Sequence, residues 1–144
     1  MATTFNVFFL GTTVQIDTVE GNLTSENHAA LQNMTFGSST DPIATHLQKF
    51  APGSTGFAGG SNSTAYDVDD SETFTLDGGA EQTVDAAMIY NNTVIRYTDG
   101  TTATVSAIVM QDTNGNTYLL PSPGTTATTY TNALMAKPIQ TVTL

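Results

Sequence analysis

The chain has 144 residues with 13 acidic and 3 basic side chains, so its formal net charge is -10. This balance excludes the basic footprint that nucleic-acid binding needs, and it disfavours anionic membranes and phosphorylated substrates. The absence of cysteine from the sequence excludes disulfides, a thiolate nucleophile and cysteine metal sites.

The N-terminal half predicts strands, one helix and a long loop. Alternating apolar residues from Thr4 to Leu10 predict a strand that Gly11 closes. A capping pattern, TSEN, predicts a short helix over Glu26 to Asn33. A short strand is expected from Ile43 to Phe50, and residues 51–70, which are rich in Gly, Ser and Asp, predict a flexible loop.

The most strongly patterned stretch, Met88 to Leu120, predicts three antiparallel strands joined by two tight turns. Asp99-Gly100 and Asn114-Gly115 supply the turns, because glycine adopts a positive φ without steric cost. The middle strand, Thr102 to Met110, is apolar on both faces in its second half, which predicts a central strand covered on both sides. Asn91-Asn92 interrupts the alternation of the first strand.

The remaining segments complete a β-rich pattern. Glu72 to Leu76 and Gln82 to Ala87 predict a hairpin, Thr129 to Ala136 predicts one or two helical turns, and Ile139 to Leu144 predicts a final strand. The sequence therefore predicts a single mainly β domain over residues 1–144, an antiparallel sandwich or small barrel with one short helix. No apolar run approaches the roughly 20 residues of a membrane-spanning helix, and the N-terminus lacks the basic region of a secretory signal.

A weak calcium candidate lies in the last turn of the meander. Asp112, Asn114 and Asn116 have the spacing of the first ligands of a calcium loop, in which oxygen donors alternate. The pattern fails at the twelfth position, where a bidentate carboxylate is needed and Pro123 stands. A calcium site would have to borrow carboxylates from the acidic cluster at residues 67–70. A polar hairpin tip and a solvated loop tip are the favoured alternatives, and no other cofactor is expected.

Two histidines are the candidates for enzyme chemistry. His28 is expected on the helix and His46 on a strand, with no spacing typical of a metal site. A Ser-His-Asp triad remains open, because triads are defined by geometry, but no GxSxG elbow is present. A small hydrolase is therefore kept as an alternative function, and the favoured expectation is that the chain is not an enzyme.

The N-terminal strand is a candidate interface between subunits. Phe5, Val7, Phe8, Phe9 and Leu10 form an uncharged, strongly β-prone segment. Strand exchange or edge pairing with a neighbour would combine a main-chain ladder with aromatic anchors. An ordinary internal strand of the same subunit is the alternative.

Several strings of the sequence resemble a known module. These are TFGSSTDPI, which begins at Thr35, the block YTDGTTATVSAIVMQDTNGNTYLLP from Tyr97, and KPIQTVTL from Lys137. They are similar to the β-rich module that lies upstream of the Hint (hedgehog/intein-type) domain in secreted bacterial proteins. The resemblance implies an extracellular, non-catalytic accessory module. No Hint catalytic residue is carried over, because the chain has no cysteine and stops where that domain would begin.

These observations favour a non-enzymatic structural or interaction module displayed on a virion surface or outside the cell. Examples are a phage capsid decoration protein or a tail or spike subunit, an inference that rests on composition and analogy. The expected partner is a second copy or a larger protein lattice, and neither nucleic-acid binding nor membrane insertion is expected. Repulsion between acidic copies is screened beyond about 8 Å at physiological salt, so assembly should weaken at low ionic strength. The alternatives are a secreted calcium- or carbohydrate-dependent adhesion module and a small hydrolase.

Overall fold

The computed structural model describes residues 5–19, 25–52, 73–122 and 128–144. The strands in these ranges are β1 (Phe5–Thr12), β2 (Thr35–Phe36), β3 (Leu47–Pro52), β4 (Thr73–Leu76), β5 (Gln82–Tyr97), β6 (Thr102–Asp112), β7 (Asn116–Leu120) and β8 (Ile139–Thr143). One α-helix, α1 (Thr129–Ala136), and two short 3₁₀ helices, His28–Leu31 and Ile43–His46, are the other elements of this part of the chain. The flexible loop predicted at residues 51–70 lies outside the described residues except for 51–52, which belong to β3.

Six of the described strands close into a ring. Their order is β5-β4-β3-β1-β7-β6, and β6 pairs again with β5, so the sheet forms a small barrel. Every pairing is antiparallel, and the predicted mainly β, antiparallel fold is confirmed. β5 is long enough to pair on one edge with β4 at residues 82–83 and with β8 at residues 94–97. β8 and β2 therefore extend the sheet beyond the barrel.

The barrel interior is filled by one apolar cluster to which every strand of the ring contributes. Its buried members are Val7, Phe50, Phe74, Val84, Met110, Tyr118 and Leu120. Side chains alternate across a strand, so Val7 enters this cluster while its neighbour Phe8 points away from it. The rings of Phe50 and Phe74 stack with centroids 4.8 Å apart, which joins β3 to β4 at the centre of the cluster.

A second core forms where outward-facing side chains of the ring meet β8, β2 and α1. From α1 come Tyr130 and Leu134, which lie four residues apart and so share one helix face. Ile139 and Val142 come from β8. β6 lies between the two cores, with Val109 in this one and Met110 in the barrel interior, which confirms the expectation of a strand covered on both faces. The two cores hold the barrel and its extension together as one body.

Both predicted tight turns are confirmed. Gly100 has φ 89°, and its N–H donates to the Tyr97 carbonyl. Gly115 has φ 84°, and its N–H donates to the Asp112 carbonyl. A Cβ atom at Gly115 would lie 2.6 Å from the Thr13 carbonyl oxygen, so both the backbone conformation and the available space require glycine.

The short helix expected over Glu26 to Asn33 is shorter than predicted and is not an α-helix. That region forms only the 3₁₀ helix His28–Leu31. Asn33 adopts a left-handed φ of 67°, and its N–H donates to the Leu144 carbonyl. Because this long-range bond turns the chain into β2, the helix ends after a single turn.

The α-helix of the described residues is α1, over the segment for which one or two turns were predicted. The Thr128 hydroxyl caps it by accepting the Thr131 N–H. None of the helices in the described ranges is long and apolar enough to cross a membrane.

Three strand predictions also need correction. Gly11 does not close β1 but lies at a bulge with φ 128°, and the strand continues to Thr12. The strand expected from Ile43 begins only after the 3₁₀ helix, because the Thr45 hydroxyl and N–H both bond the Pro42 carbonyl. The strand expected over Gln82 to Ala87 does not end there but continues as β5 to Tyr97, with a bulge at residues 91–92, where an interruption of the alternation was expected.

Candidate functional site

A buried glutamine on β6 holds the segment that follows β1. The side-chain oxygen of Gln111 accepts the Ile16 N–H at 2.8 Å. Its amide nitrogen donates to the Val14 carbonyl at 2.8 Å and to the Thr13 hydroxyl at 2.9 Å. We call Gln111 and residues 13–16 the glutamine clamp. A buried amide is stable only when its polar atoms are hydrogen-bonded, so the Gln111 side chain has a structural role.

The three calcium candidates come together next to this clamp, but as a hydrogen-bonded turn. Asp112 is buried, and its Oδ1 accepts the N–H groups of Asn114 and Asn116, each at 2.9 Å. Its Oδ2 accepts the Asn116 side-chain amide at 2.9 Å, and the Asn116 oxygen accepts the Thr12 hydroxyl. Donors therefore face the carboxylate where a cation would have to bind. The described residues contain no group of three or more His, Asp or Glu side chains placed to hold a metal, and residues 67–70 lie outside them.

The two histidines are engaged by different neighbours. His28 Nδ1 bonds the Ser25 carbonyl oxygen at 2.7 Å. His46 Nε2 lies 2.7 Å from Asp41 Oδ1, and its ring packs edge-on against Phe9. A small cavity of about 140 Å³ adjoins this pair, and none of its described lining residues carries a hydroxyl that could act as a nucleophile. Among the described residues that line this cavity, the His-Asp pair therefore has no third member of a triad.

Four of the five candidate interface residues of β1 pack against the cores of their own subunit. β1 pairs with β3 on one edge and with β7 on the other. Val7 is buried in the barrel and Phe9 packs against that cluster, while Phe8 and Leu10 belong to the second core. The backbone of Phe5 pairs with Phe50 of β3. Both edges of β1 are thus paired within the subunit, so edge pairing with a neighbour would require the strand to be exchanged.

A polar cleft of about 500 Å³ lies between β6 and the start of α1. It is lined mainly by hydroxyl and amide side chains, including Asn92, Thr104 and Ser106. The aromatic residue in its wall, Tyr130, is buried and donates its hydroxyl to the Leu120 carbonyl. The described lining of the cleft therefore offers hydrogen bonds but no exposed ring face on which a sugar could stack.

An apolar groove of about 340 Å³ runs between β1, β3 and the end of α1. Its rims carry two exposed apolar side chains, Leu47 (48% exposed) and Met135 (69% exposed), and its floor includes Phe8 and Leu134. We call it the Leu47–Met135 groove. The groove could not be predicted from the sequence, because its lining residues come from three separate segments. Met135 could have indicated an exposed apolar surface, because it lies off the helix face that Tyr130 and Leu134 share.

Two of the three basic residues of this chain of net charge -10 lie at or beside the groove. Lys137 lines the groove, and Lys49 pairs in register with Asn6, another lining residue. Each lysine has one aspartate beside it. Lys137 Nζ lies 2.9 Å from Asp99, and Asp77 accepts the Lys49 backbone N–H at 2.8 Å. No described lining residue of the groove is acidic.

The carboxyl group of Asp99, which pairs with Lys137, has a lowered pKa. The Thr101 hydroxyl and N–H donate to it, and Lys137 adds a charged hydrogen bond, so the pKa of Asp99 is held well below its ordinary value of 3.8. A carboxyl whose pKa is lower in the folded than in the unfolded chain stabilises the fold above the unfolded pKa. That stabilisation is lost as the pH falls through the folded pKa.

We therefore expect Asp99→Asn to lower the melting temperature at pH 7, and we expect this difference from wild type to shrink as the pH falls below about 4. The substitution keeps an oxygen that can accept the Thr101 N–H, so it removes mainly the charge. Melting curves of both proteins between pH 2 and pH 7 provide the measurement. A difference that stays constant over the whole range would show that the charge of Asp99 does not stabilise the fold.

Comparison with known proteins identifies no relative. No protein-family model, curated protein or solved structure matches the chain. The resemblance to the module upstream of Hint domains therefore stays a prediction, and the argument for function rests on the geometry above.

Proposed function

We propose that this chain is a non-catalytic structural module that associates with copies of itself or with a larger protein lattice. The Leu47–Met135 groove carries the proposal. It is an exposed apolar groove with no acidic side chain among its described lining residues, so a protein partner can cover it without burying a carboxylate of that lining.

The use of the polar side chains supports a structural role. Gln111 and Asp112 are buried. The side chain of Gln111 is hydrogen-bonded to the segment after β1, and that of Asp112 to the hairpin tip. His28 bonds a backbone carbonyl, and the described residues lining the cavity of the His46–Asp41 pair include no hydroxyl. Gln111, Asp112 and His28 thus fix local backbone geometry.

Composition and resemblance support a place outside the cell or on a virion surface. The chain is small, acidic and free of cysteine, and only 11% of its residues are charged. A surface made polar by Thr, Ser, Asn and Gln is common in extracellular and particle-surface β proteins. A phage decoration protein or a tail or spike subunit is the form of this proposal that fits the composition best.

The expected result is reversible self-association that strengthens with added salt. Sedimentation velocity of the full chain across a hundredfold concentration range, at about 20 mM and about 500 mM NaCl, is the measurement. Higher salt screens the repulsion between copies that each carry a charge of -10, so larger species should become more abundant. A monomer at every concentration and both salt levels would count against the proposal.

A further inference from the structure

We propose that Asn114 is a site of spontaneous covalent modification, at which the backbone nitrogen of Gly115 attacks the side-chain amide and converts the asparagine into aspartate and isoaspartate. The inference does not depend on the proposed function. It concerns the turn between β6 and β7, which carries the only Asn-Gly pair in the sequence. The product changes the charge and the backbone of the hairpin that meets β1.

The reaction needs a side-chain amide that can turn toward the next backbone nitrogen, and Asn114 provides one. Asn114 is exposed, and its N–H donates to Asp112, but its side chain has no hydrogen-bond partner within the described part of the chain. Gly115 has no Cβ atom, so no side chain obstructs the approach to its nitrogen. The electrophile and the nucleophile are therefore neighbours with little to keep them apart.

One hydrogen bond restrains the attacking nitrogen. The Gly115 N–H donates to the Asp112 carbonyl at 3.1 Å, which is long for a bond of this type. The bond is given up when the nitrogen loses its proton. A neutral hydrogen bond has a modest net free energy, so its loss slows the step by roughly tenfold at most. The fold therefore slows the modification without preventing it.

The steps balance without an oxidant or a reductant. Hydroxide removes the proton of the Gly115 nitrogen, which forms a bond to Cγ of Asn114. The bond from Cγ to Nδ2 breaks, and ammonia leaves with a proton from water. Water then opens the cyclic imide at one of its two carbonyl carbons. One opening gives aspartate, and the other gives isoaspartate, in which the main chain runs through the former side-chain carbon.

Other asparagines are less suited to this reaction. Each of them is followed in the sequence by a residue with a side chain, which hinders the nitrogen. Some are also held in place, since the Asn116 amide donates to Asp112 and the Asn27 amide donates to the Gln15 carbonyl. Asn114 combines a free side chain with a following glycine.

The Asp-Gly turn at Asp99 and Gly100 has the right spacing but a less reactive side chain. An ionised carboxylate is a poor electrophile compared with an amide. Thr101 and Lys137 donate to Asp99 and hold its pKa well below the ordinary value, so it stays ionised at neutral pH. The same attack by Gly100 is therefore suppressed.

The product disturbs a tightly fitted part of the barrel. The Gly115 carbonyl accepts the Thr13 N–H at 2.9 Å, and a Cβ atom at Gly115 would lie only 2.6 Å from the Thr13 carbonyl oxygen. Isoaspartate lengthens the main chain by one atom directly before this contact. The new carboxylate also lies close to that of Asp112, whose Oδ1 accepts the N–H of residue 114. The modification should thus loosen β7 where it pairs with β1.

The test is incubation of the full chain in mildly alkaline buffer, with Asn114→Gln as the matched control. Peptide mapping by mass spectrometry and labelling with an isoaspartate methyltransferase locate the product. We expect Asn114 to convert about tenfold faster than any other asparagine, because its neighbour is glycine. Glutamine keeps an amide at this position but is one carbon longer, so Asn114→Gln should stay unmodified at residue 114.

The consequence for stability is measured on the modified chain, which anion exchange separates by its added charge. The isoaspartyl form should melt at a lower temperature than the wild type, and Asn114→Asp, which adds the charge without the extra backbone atom, should lie between them. Conversion at several asparagines at similar rates, or conversion in urea but not in native buffer, would overturn Asn114 as a site in the folded chain. An isoaspartyl form that melts with the wild type would overturn the predicted loosening of β7.

Discussion

Replacing Gln111 with leucine is expected to lower the free energy of unfolding by about 1–3 kcal/mol, because it leaves the buried Ile16 N–H of the clamped segment without its acceptor. Leucine resembles glutamine in volume, so the change removes hydrogen bonds with little change in packing. The Ile16 N–H loses its acceptor, whereas the Val14 carbonyl keeps the Thr13 hydroxyl as a donor. A buried group left unbonded costs about 1–3 kcal/mol, and this cost at Ile16 sets the expected range.

Urea denaturation followed by circular dichroism measures this effect, and the neighbouring Gln15 provides a matched control. Gln15 is exposed and makes one side-chain bond, to the Thr113 carbonyl at 2.9 Å. Gln15→Leu should cost less than about 1 kcal/mol, because water replaces the lost bond. Equal costs at Gln111 and Gln15 would mean that the clamp does not hold the segment.

The local part of the fold was predictable and the ring closure was not. The hairpins at Gly100 and Gly115 join strands that are adjacent in sequence, and the glycine at each turn indicates it from the sequence alone. By contrast, β1 pairs with β7 across more than a hundred residues, and no short-range pattern indicates that partner. The alternation in β1 predicted two faces correctly, but only the ring shows that one faces a barrel interior.

The two helical segments show how tertiary contacts override a local signal. The segment from Glu26 has capping residues, yet it makes a single 3₁₀ turn because Asn33 bonds the carbonyl of Leu144 at the other end of the chain. α1 survives because Tyr130 and Leu134 reach a core that spans the sheet. Propensity alone could not rank these two helices correctly.

The candidate site shows the same limit for polar residues. Asp112, Asn114 and Asn116 were singled out for their spacing, and the structure does bring them together. Spacing cannot distinguish oxygens that face a cation from oxygens that accept N–H groups, because an Asx-type turn uses the same residues. The importance of Gln111 was equally hidden, since its partners at residues 13–16 lie far away in sequence.

Phe74→Ala is expected to lower the free energy of unfolding by about 3–5 kcal/mol, the range for removing a buried phenylalanine from a core. Phe74 is fully buried on β4, stacked on Phe50 and edge-on to Tyr118 at 5.9 Å between centroids. Alanine would leave a cavity where β3, β4 and β7 face one another inside the barrel. The closed ring can collapse around that cavity only slightly, because every strand in it is held by hydrogen bonds on both edges.

Phe74→Leu supplies the control, since it keeps most of the apolar volume while removing both ring contacts. Aromatic pairs add about 0.5–1.5 kcal/mol to the burial of their surface, so the leucine variant should lose far less than the alanine variant. Chemical denaturation of the three proteins, with slopes compared to confirm the same unfolding transition, measures both differences. A cost of less than about 1 kcal/mol for Phe74→Ala would mean that the barrel interior is not the packed core described here, because a well-packed interior has no means of absorbing the loss of a whole ring.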